Sequence, residues 1–574
     1  MDLTWQLKAI PDPLIIQELQ EQLQIDPSLA TLLVQRGIST YEQAEHYFRP
    51  KLEDLHDPFL LKNMGKAVKR FNLAMEKNEK VLIYGDYDVD GTTAVSLFLN
   101  AIRKYYSNVD FYIPDRFLEG YGVNKKAIET FHEQGFTLMF TLDCGIKSVD
   151  EIGFAKENGM DVIVCDHHEP GEIVPDAWVL NPKQIDCLYP YKELSGCGVT
   201  FKFLQALFHE NKWSKEELLK NLDLVALSIA ADIVPITDEN RALCFYGIEQ
   251  INRKESTVID LLFQHAKRSY PIQLSDIVFT IAPRINAAGR MKHAKHIVEL
   301  FTETDVYAIE QQIHQINEMN TERRTLDQQI AIEAIDAILN DGTQRFSNVV
   351  YDENWSKGVI GIVASRLVEK NYRPSIVLTK SNGKLTGSGR SIPEVNLYEA
   401  LVKCSHHLEQ FGGHAFACGL TLKEESLAVF KETFDKEIAA QMDHQLCVPT
   451  LAIDLEIDFS NVYSPTDVSP TKLPKFVRVL QQMEPHGPGN MRPVFITKNV
   501  YISDFRFLKE VHLKMEFQQK GFPVRLDGIA FNFLEQFQKI EEAKPVDIVY
   551  SISVNRWNGK ESVQLEIRDV RNSV

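Results

Sequence analysis

The sequence has no apolar run of about 18 residues or more, so no membrane-crossing helix is expected. Its opening, MDLTWQLKAIPDPL, has no basic stretch leading into an apolar core, the pattern of a secretory signal, and a cytoplasmic location is expected. No two of the eight cysteines form a CxxC pair, which excludes zinc-ribbon and thioredoxin-like chemistry. Cys144, Cys165, Cys187, Cys197, Cys244, Cys404, Cys418 and Cys447 are scattered and read as reduced and mostly buried. Internal repeats and low-complexity tracts are also missing. Positive charge is in deficit: 62 Lys and Arg stand against 80 Asp and Glu, a net −18, which argues against a nucleic-acid partner.

The basic residues that are present are segregated. Between Ile277 and Val298 lie Arg284, Arg290, Lys292 and Lys295 and no acid. Between Asn354 and Ile392 lie Lys357, Arg366, Lys370, Arg373, Lys380, Lys384 and Arg390 against Glu369. Segments of this kind are as often ordinary solvated faces as phosphate contacts, but local basic surface can bind phosphate inside an acidic protein. The 574 residues suffice for three or four domains, and 44% hydrophobic, 25% charged and 10% aromatic residues are ordinary for a globular chain.

Residues 1–60 read as a mixed helical cap without chemistry. Short apolar runs then alternate with amphipathic helices over 61–300: VLIY, DFYI, LMFTL and DVIVC are buried parallel strands, and the pattern predicts a doubly wound α/β domain. Asp305 to Asn340 is almost free of Gly and Pro, with Ile309, Ile313, Ile316, Leu326, Ile330 and Ile335 at helical spacing. It predicts a connecting helix of roughly 50 Å within 301–345, long enough to join two domains and leave a cleft. A second α/β unit follows over 346–445. Residues 446–574 are strand-rich and predict a small β-barrel of the OB type, with Asn558-Gly559 as a hairpin turn.

Four clusters carry the chemistry. Asp86, Asp88 and Asp90 alternate directly after VLIY, and three carboxylates so close are costly unless a cation neutralises them. Asp143 closes LMFTL, Asp166-His167-His168 closes VIVC, and Asp232 ends the apolar helix LDLVALSIAA. Each alone reads as a solvated turn, a helix cap or surface histidines. Together, strand-end groups of one sheet converge at the carboxyl edge where open α/β sheets bind ligands. Carboxylates with imidazole suit Mn²⁺ or a similar divalent ion better than Mg²⁺ alone. Two such ions, about 3.5–4 Å apart, hydrolyse phosphodiesters or phosphoanhydrides.

DYDVDG, LDCG, VCDHH and ALSIAAD resemble, in order and spacing, the motifs of the DHH superfamily of phosphoesterases. PRINAAGRM, WSKGVIGIVASR, GSGRSI, FGGHAFACGL and EPHGPGNMRPVF are similar to blocks of its single-strand exonuclease branch. The resemblance runs from about residue 60 to the last residues. It implies a DHH catalytic domain and a DHHA1 substrate-binding domain, with an OB-fold nucleic-acid-binding domain after them. The implied activity is two-metal, processive 5′→3′ hydrolysis of single-stranded DNA to 5′-mononucleotides, in repair and recombination. The DHH relatives that cut short oligonucleotides or cyclic dinucleotides are typically shorter and lack the barrel. Inorganic pyrophosphatases differ in the second domain, and non-catalytic scaffolds lose the carboxylates. The metal ligands, Mn²⁺ or Mg²⁺, carry over onto Asp88, Asp90, Asp143, His167 and Asp232, with Asp86 and His168 beside them. His168, with Asp143 and Asp166, is expected in the catalytic step. Arg116, Arg290, Ser388 and Arg390 match the 5′-phosphate and backbone contacts, and Gly412, Gly413 and His414 the GGH loop. The branch also implies a monomer near a RecQ-type helicase and a single-strand DNA-binding protein, with no membrane partner. Ser356 departs from the His usual after the Trp of the WxxGVIGIV block. Trp557 and Phe505 are candidates for stacking on bases, though such residues are more often core.

Overall fold

The computed structural model describes residues 3–116, 119–120, 122–342, 345–463, 473–541, 544–557 and 559–573. Asn558, the first residue of the expected hairpin turn, lies outside them.

The catalytic sheet is built from β1 (Lys80–Gly85), β2 (Val109–Tyr112), β3 (Phe136–Leu142), β4 (Asp161–Cys165) and β5 (Trp178–Leu180). All are parallel, in the order β2-β1-β3-β4-β5. Successive strand residues point to opposite faces. Val81, Ile83, Phe140 and Ile163 therefore enter the core shared with α1 (Val89–Ile102) and α2 (Gly196–Glu210). Leu82, Tyr84, Met139 and Val162 pack instead with Ala127, Ile128, Ile152 and Ala155, on helices of the other face. The expected doubly wound α/β architecture is present. The strand order reverses between β1 and β3, and a switch point of this kind opens a crevice at the carboxyl ends.

Helix α3 (Leu222–Ala231) lies in the first core, and α4 (Ala282–Met291) continues from a π-helical turn. Helix α5 (Val306–Asp341) has 36 residues, capped by Asp305 and about 54 Å long. Ile309, Ile313, Ile316 and Met319 of its first half join the catalytic core, whereas Ile330, Ala331 and Ala334 join the core of the next unit. One rigid rod is thus buried in two domains. That next unit has the sheet β6 (Asn348–Tyr351), β7 (Ser375–Ser381), β8 (Lys384–Arg390), β9 (Gln410–His414) and β10 (Ala417–Leu422), ordered β9-β10-β8-β7-β6. Only β6 and β7 pair in parallel.

The barrel is formed by β11 (Phe495–Leu508), β12 (His512–Gln519), β13 (Arg525–Ala530), β14 (Val546–Trp557) and β15 (Lys560–Asn572). Its order is β11-β12-β13-β15-β14, β13 and β15 run parallel, and a β11–β14 pairing closes it, the OB arrangement. The first 60 residues do not form a separate cap. Thr4–Leu7 is a strand, not helix, and pairs in parallel with Thr450–Ile453. Leu19, Leu29, Leu32 and Leu33 share one core with Phe495, Val546 and Leu565 of the barrel. Trp557 (73% exposed) and Phe505 (43%) lie on the barrel surface, against the expectation that such residues are core. Among the described residues no helix is long and apolar enough to cross a membrane, and all eight cysteines are free.

Asp223, the second residue of α3, is buried, with its Oδ1 accepting the Leu224 N–H at 2.8 Å. Burial pushes its carboxyl up to about 7. The folded chain then holds a proton that the unfolded chain releases near pH 4. The contribution is fully present below that pH and is lost as pH rises through about 7. Asp223→Asn keeps the acceptor and removes the charge. The variant is expected to melt above the parent at pH 8, by on the order of 2 kcal/mol, and level with it at pH 4. Equal melting temperatures at both pH values would contradict the buried charge.

Candidate metal and phosphate site

The site is assembled from loops at the carboxyl edge of the sheet. Asp86 and Asp88 follow β1; Asp88 also caps α1, accepting the Gly91 N–H at 3.0 Å. Asp90, in the first turn of α1, accepts the N–H groups of Gly196 and Cys197, each at 2.7 Å, and the Ser228 hydroxyl at 2.6 Å. Those two amides open α2, so the positive end of that helix holds the carboxylate. Asp143, after β3, has φ 60. A Cβ on Gly196 would stand 2.6 Å from its Oδ1, so only glycine lets α2 start this close. Sequence reasoning missed the Ser195–Gly198 start of α2. Its only sequence trace is a serine N-cap before an apolar helix, with Ser195 Oγ accepting the Gly198 N–H.

His167 Nε2 lies 3.2 Å from Asp143 Oδ1, 3.5 Å from Asp232 Oδ2 and 3.7 Å from Asp90 Oδ2. Three ligand groups follow: Asp86, Asp88, Asp143; Asp90, His167, Asp232; and Asp143, His167, His168, each with ligand atoms within 4.8 Å of one another. The five residues expected to ligate metal are therefore brought together with Asp86, and His168 and Asp166 stand at their side. Burial, and then the neighbouring carboxylates, raises the carboxyls of Asp143 and Asp88. Burial and the Asp88 charge do the same to Asp86. Asp232, at the unfavourable C-terminal end of the α3 dipole, is pushed up to about 8 by burial and then by Asp90 and Asp88. Burial lowers the His167 imidazole. Asp166 behaves oppositely: burial would raise it, but the His168 bond and backbone N–H groups hold it at about 2. His168 Nδ1 meets Asp166 Oδ1 at 2.8 Å. Although burial disfavours its charge, Asp166 and the carboxylates beyond raise it to about 9.

The residues fit a divalent cation. Asp86 Oδ1, Asp143 Oδ1 and His167 Nε2 are buried with no hydrogen-bond partner among the described residues. Such orphaned oxygen and imidazole donors are costly unless a cation takes them.

A basic groove adjoins the cluster. Arg116, Arg290, Lys357, Ser388, Arg390 and Gly412 line a cavity of about 430 Å³. Arg390 Nη1 donates to Ser388 Oγ at 3.0 Å, and Arg290 Nη1 to Gly358 O at 3.1 Å. Burial, then Arg116 and Arg390, brings Arg290 down to about 10. Among the described residues none of the three guanidiniums pairs with a carboxylate. Arg116 and Arg290 also line the cavity holding Asp86, Asp88, Asp90 and Asp232, so they join the two halves. Of the GGH loop only Gly412 reaches the groove lining; Gly413 and His414 continue edge strand β9 outside it.

Family models match residues 80–229 (DHH family, N-terminal domain), 343–440 (DHHA1 domain) and 466–569 (RecJ OB domain). The single-stranded-DNA-specific exonuclease RecJ of Bacillus subtilis is 37% identical over 571 residues, covering 98% of this chain and 70% of that protein. That of Escherichia coli is 30% identical over 577 residues, covering 95% and 96%. The chain belongs to the RecJ family. The crystal structure of RecJ from Thermus thermophilus in complex with Mn²⁺ superposes with a TM-score of 0.84 at 26% identity, over 100% of this chain and 80% of that one. The Mg²⁺ complex of the same RecJ gives 0.76 at 25% identity, over 100% and 79%. Those two ions and the orphaned donors of this chain agree on a divalent-metal cofactor.

Proposed function

We propose that this chain is a single-stranded-DNA-specific exonuclease that hydrolyses phosphodiester bonds 5′→3′ and releases 5′-mononucleotides. The observation that carries the reading is the shared lining: Arg116 and Arg290 face both the carboxylate–histidine cluster and the Ser388–Arg390 groove. A terminal 5′-phosphate bound by the guanidinium forks would put the next phosphodiester at the cluster.

Asp86, Asp88 and Asp143 would hold one divalent cation, and Asp90, His167 and Asp232 a second. When bound, such ions would neutralise the phosphate oxygens and lower the pKa of an attacking water. The chain's own groups do the rest. Arg116, Arg290 and Arg390 orient the 5′ end, and Ser388 and the Gly412 backbone shape its seat. Asp166 fixes the His168 ring through Nδ1 and keeps it protonated, so that Nε2 gives its proton to the departing 3′-oxygen. Water adds at phosphorus as the bond to that oxygen breaks. The remaining strand keeps the phosphate as a new 5′-phosphate, the group the arginines bind, so each cut prepares the next.

The reading extends to a reducing cytoplasm, supported by eight unpaired cysteines. It also extends to a RecQ-type helicase and a single-strand DNA-binding protein, because a single-strand substrate must be unwound and kept open. End-labelled oligonucleotides test it. A bulky 5′ block is expected to stop degradation and a 3′ block to leave it intact, with mononucleotides as product. Degradation indifferent to the 5′ block, or preference for a dinucleotide, would overturn the polarity or the substrate class.

A further inference from the structure

Asp232 is held differently from Asp90 and Asp166. Asp90 is fixed by two amides and a hydroxyl, and Asp166 by the Ile146 N–H and His168. Among the described residues no N–H or O–H donates to the Asp232 carboxylate, whose ion-pair neighbour is His167 at 3.5 Å. Its side chain is 27% exposed, against 1% for Asp90 and 3% for Asp143. Its position therefore depends on its backbone. Asp232 caps the end of α3, and the next residue, Ile233, has φ 60. A β-branched residue in the left-handed region is strained by about 1–3 kcal/mol and persists only where the surroundings enforce it. The Ile233 side chain is itself 62% exposed, so its own packing does not supply that force.

The support comes from further along. Pro235 O accepts from the Tyr191 hydroxyl at 3.1 Å and from Asn240 Nδ2 at 3.0 Å. Ile236 N–H donates to Pro488 O at 2.7 Å, across to the C-terminal unit. Pro488 and Gly489 form a tight turn closed by Asn490 N–H on Gly487 O at 2.9 Å. Gly489 has φ 72, and a Cβ on Gly487 would stand 2.6 Å from Ile236 Cγ1, so the turn lies flat on the segment. Behind it, Asn490 Nδ2 donates to Met483 O and Pro485 O, each at 2.8 Å, and Asn490 Oδ1 accepts the Tyr47 hydroxyl at 2.7 Å. Arg241 donates to the carbonyls of Tyr47, Met483, Gln482 and Glu484 and stacks 3.9 Å from the Tyr47 ring. The EPHGPGN block is thus a joint between the catalytic domain, the first 60 residues and the barrel.

We propose that the Gly487–Asn490 turn is a brace: it fixes the Ile233 turn, and through it Asp232, so that the cation site of Asp90, His167 and Asp232 depends on the C-terminal unit. The inference rests on the reading of the cluster as a metal site. Gly487 and Pro488 are positioning residues that touch neither metal nor substrate.

The test is Mn²⁺ uptake by the full chain without DNA, followed by electron paramagnetic resonance. Gly487→Ala pushes on Ile236; Pro488→Gly adds no bulk, keeps the carbonyl and loosens the turn. Both are expected to weaken one of two Mn²⁺ sites by about tenfold or more, with strand binding in EDTA unchanged. Adding Ile236→Ala to Gly487→Ala should recover part of the loss, which general damage would not do. If Gly487→Ala fails to fold, Pro488→Gly decides. A parent that takes up no Mn²⁺ overturns the metal reading and the brace together. A folded variant that takes up Mn²⁺ as the parent does overturns the brace alone.

Discussion

An Asp143→Asn variant is expected to cut single-stranded DNA about 10³-fold more slowly or worse, about 4 kcal/mol of barrier, and yet to be more stable than the parent in EDTA. Both effects have one cause. Asp143 is 2% exposed, and after burial the charges of Asp90, Asp88, Asp232 and Asp86 raise its carboxyl further. Without a cation these groups repel one another at close range. An amide of the same shape removes one charge and should raise stability by on the order of 2 kcal/mol, about 2–4 °C per kcal/mol in melting temperature. With Mn²⁺ the order reverses. A ligand at a hundred times its Kd stabilises the parent by about 2.7 kcal/mol, and the variant, having lost a ligand atom, gains less. Strand binding, which belongs to the arginine groove, should change little. A variant that cleaves at the parent rate, or that melts lower than the parent in EDTA, would contradict the assignment.

Arg390→Ala is expected to lower kcat/KM on 5′-phosphorylated strands by about 10²-fold, about 2.7 kcal/mol, and to leave 5′-hydroxyl strands nearly unaffected. Arg390 offers a guanidinium fork toward a groove with Arg116 and Arg290, and no carboxylate pairs with it among the described residues. Arg390→Lys should recover only part of the rate, because an ammonium supplies charge without the fork. Equal losses on both kinds of strand would mean that Arg390 shapes the groove instead of reading the phosphate.

The catalytic half of this design was legible because its signals are local. An apolar run followed by Asp86, Asp88 and Asp90 declares a strand end, and Asp166-His167-His168 declares another. That they meet follows from the parallel sheet. The rod from Val306 to Asp341 showed in its period and in the lack of Gly and Pro. What stayed hidden depends on distant partners. Nothing near Asp90 announces the amides of Gly196 and Cys197, 106 and 107 residues on. Thr4–Leu7 is a strand because Thr450–Ile453 runs beside it, and the alternation of TWQL spans only four residues, too short to declare a strand unaided. Trp557 was weighed toward the core on residue type alone, but it sits near the tip of the β14–β15 hairpin, where no neighbour among the described residues covers it. Asp232 could be placed at a helix end, whereas the strained Ile233 turn and its brace could not.

The pairing of Thr4–Leu7 with Thr450–Ile453 also sets a schedule. Trp5 Nε1 donates to Asp569 Oδ2 at 2.7 Å, and Lys8 reaches Asp454, 446 residues away, at 2.8 Å. Made at about 5–20 residues per second, Thr4–Leu7 waits roughly 20–90 s for its partner. Leu19, Leu29, Leu32 and Leu33 spend that interval without the apolar surface they finally share with the barrel. The catalytic domain can close its sheet in the meantime, because all its strands lie between residues 80 and 180. The catalytic sheet is therefore made before the frame that braces Asp232, and Thr4–Leu7 is seated only once Thr450–Ile453 has been made.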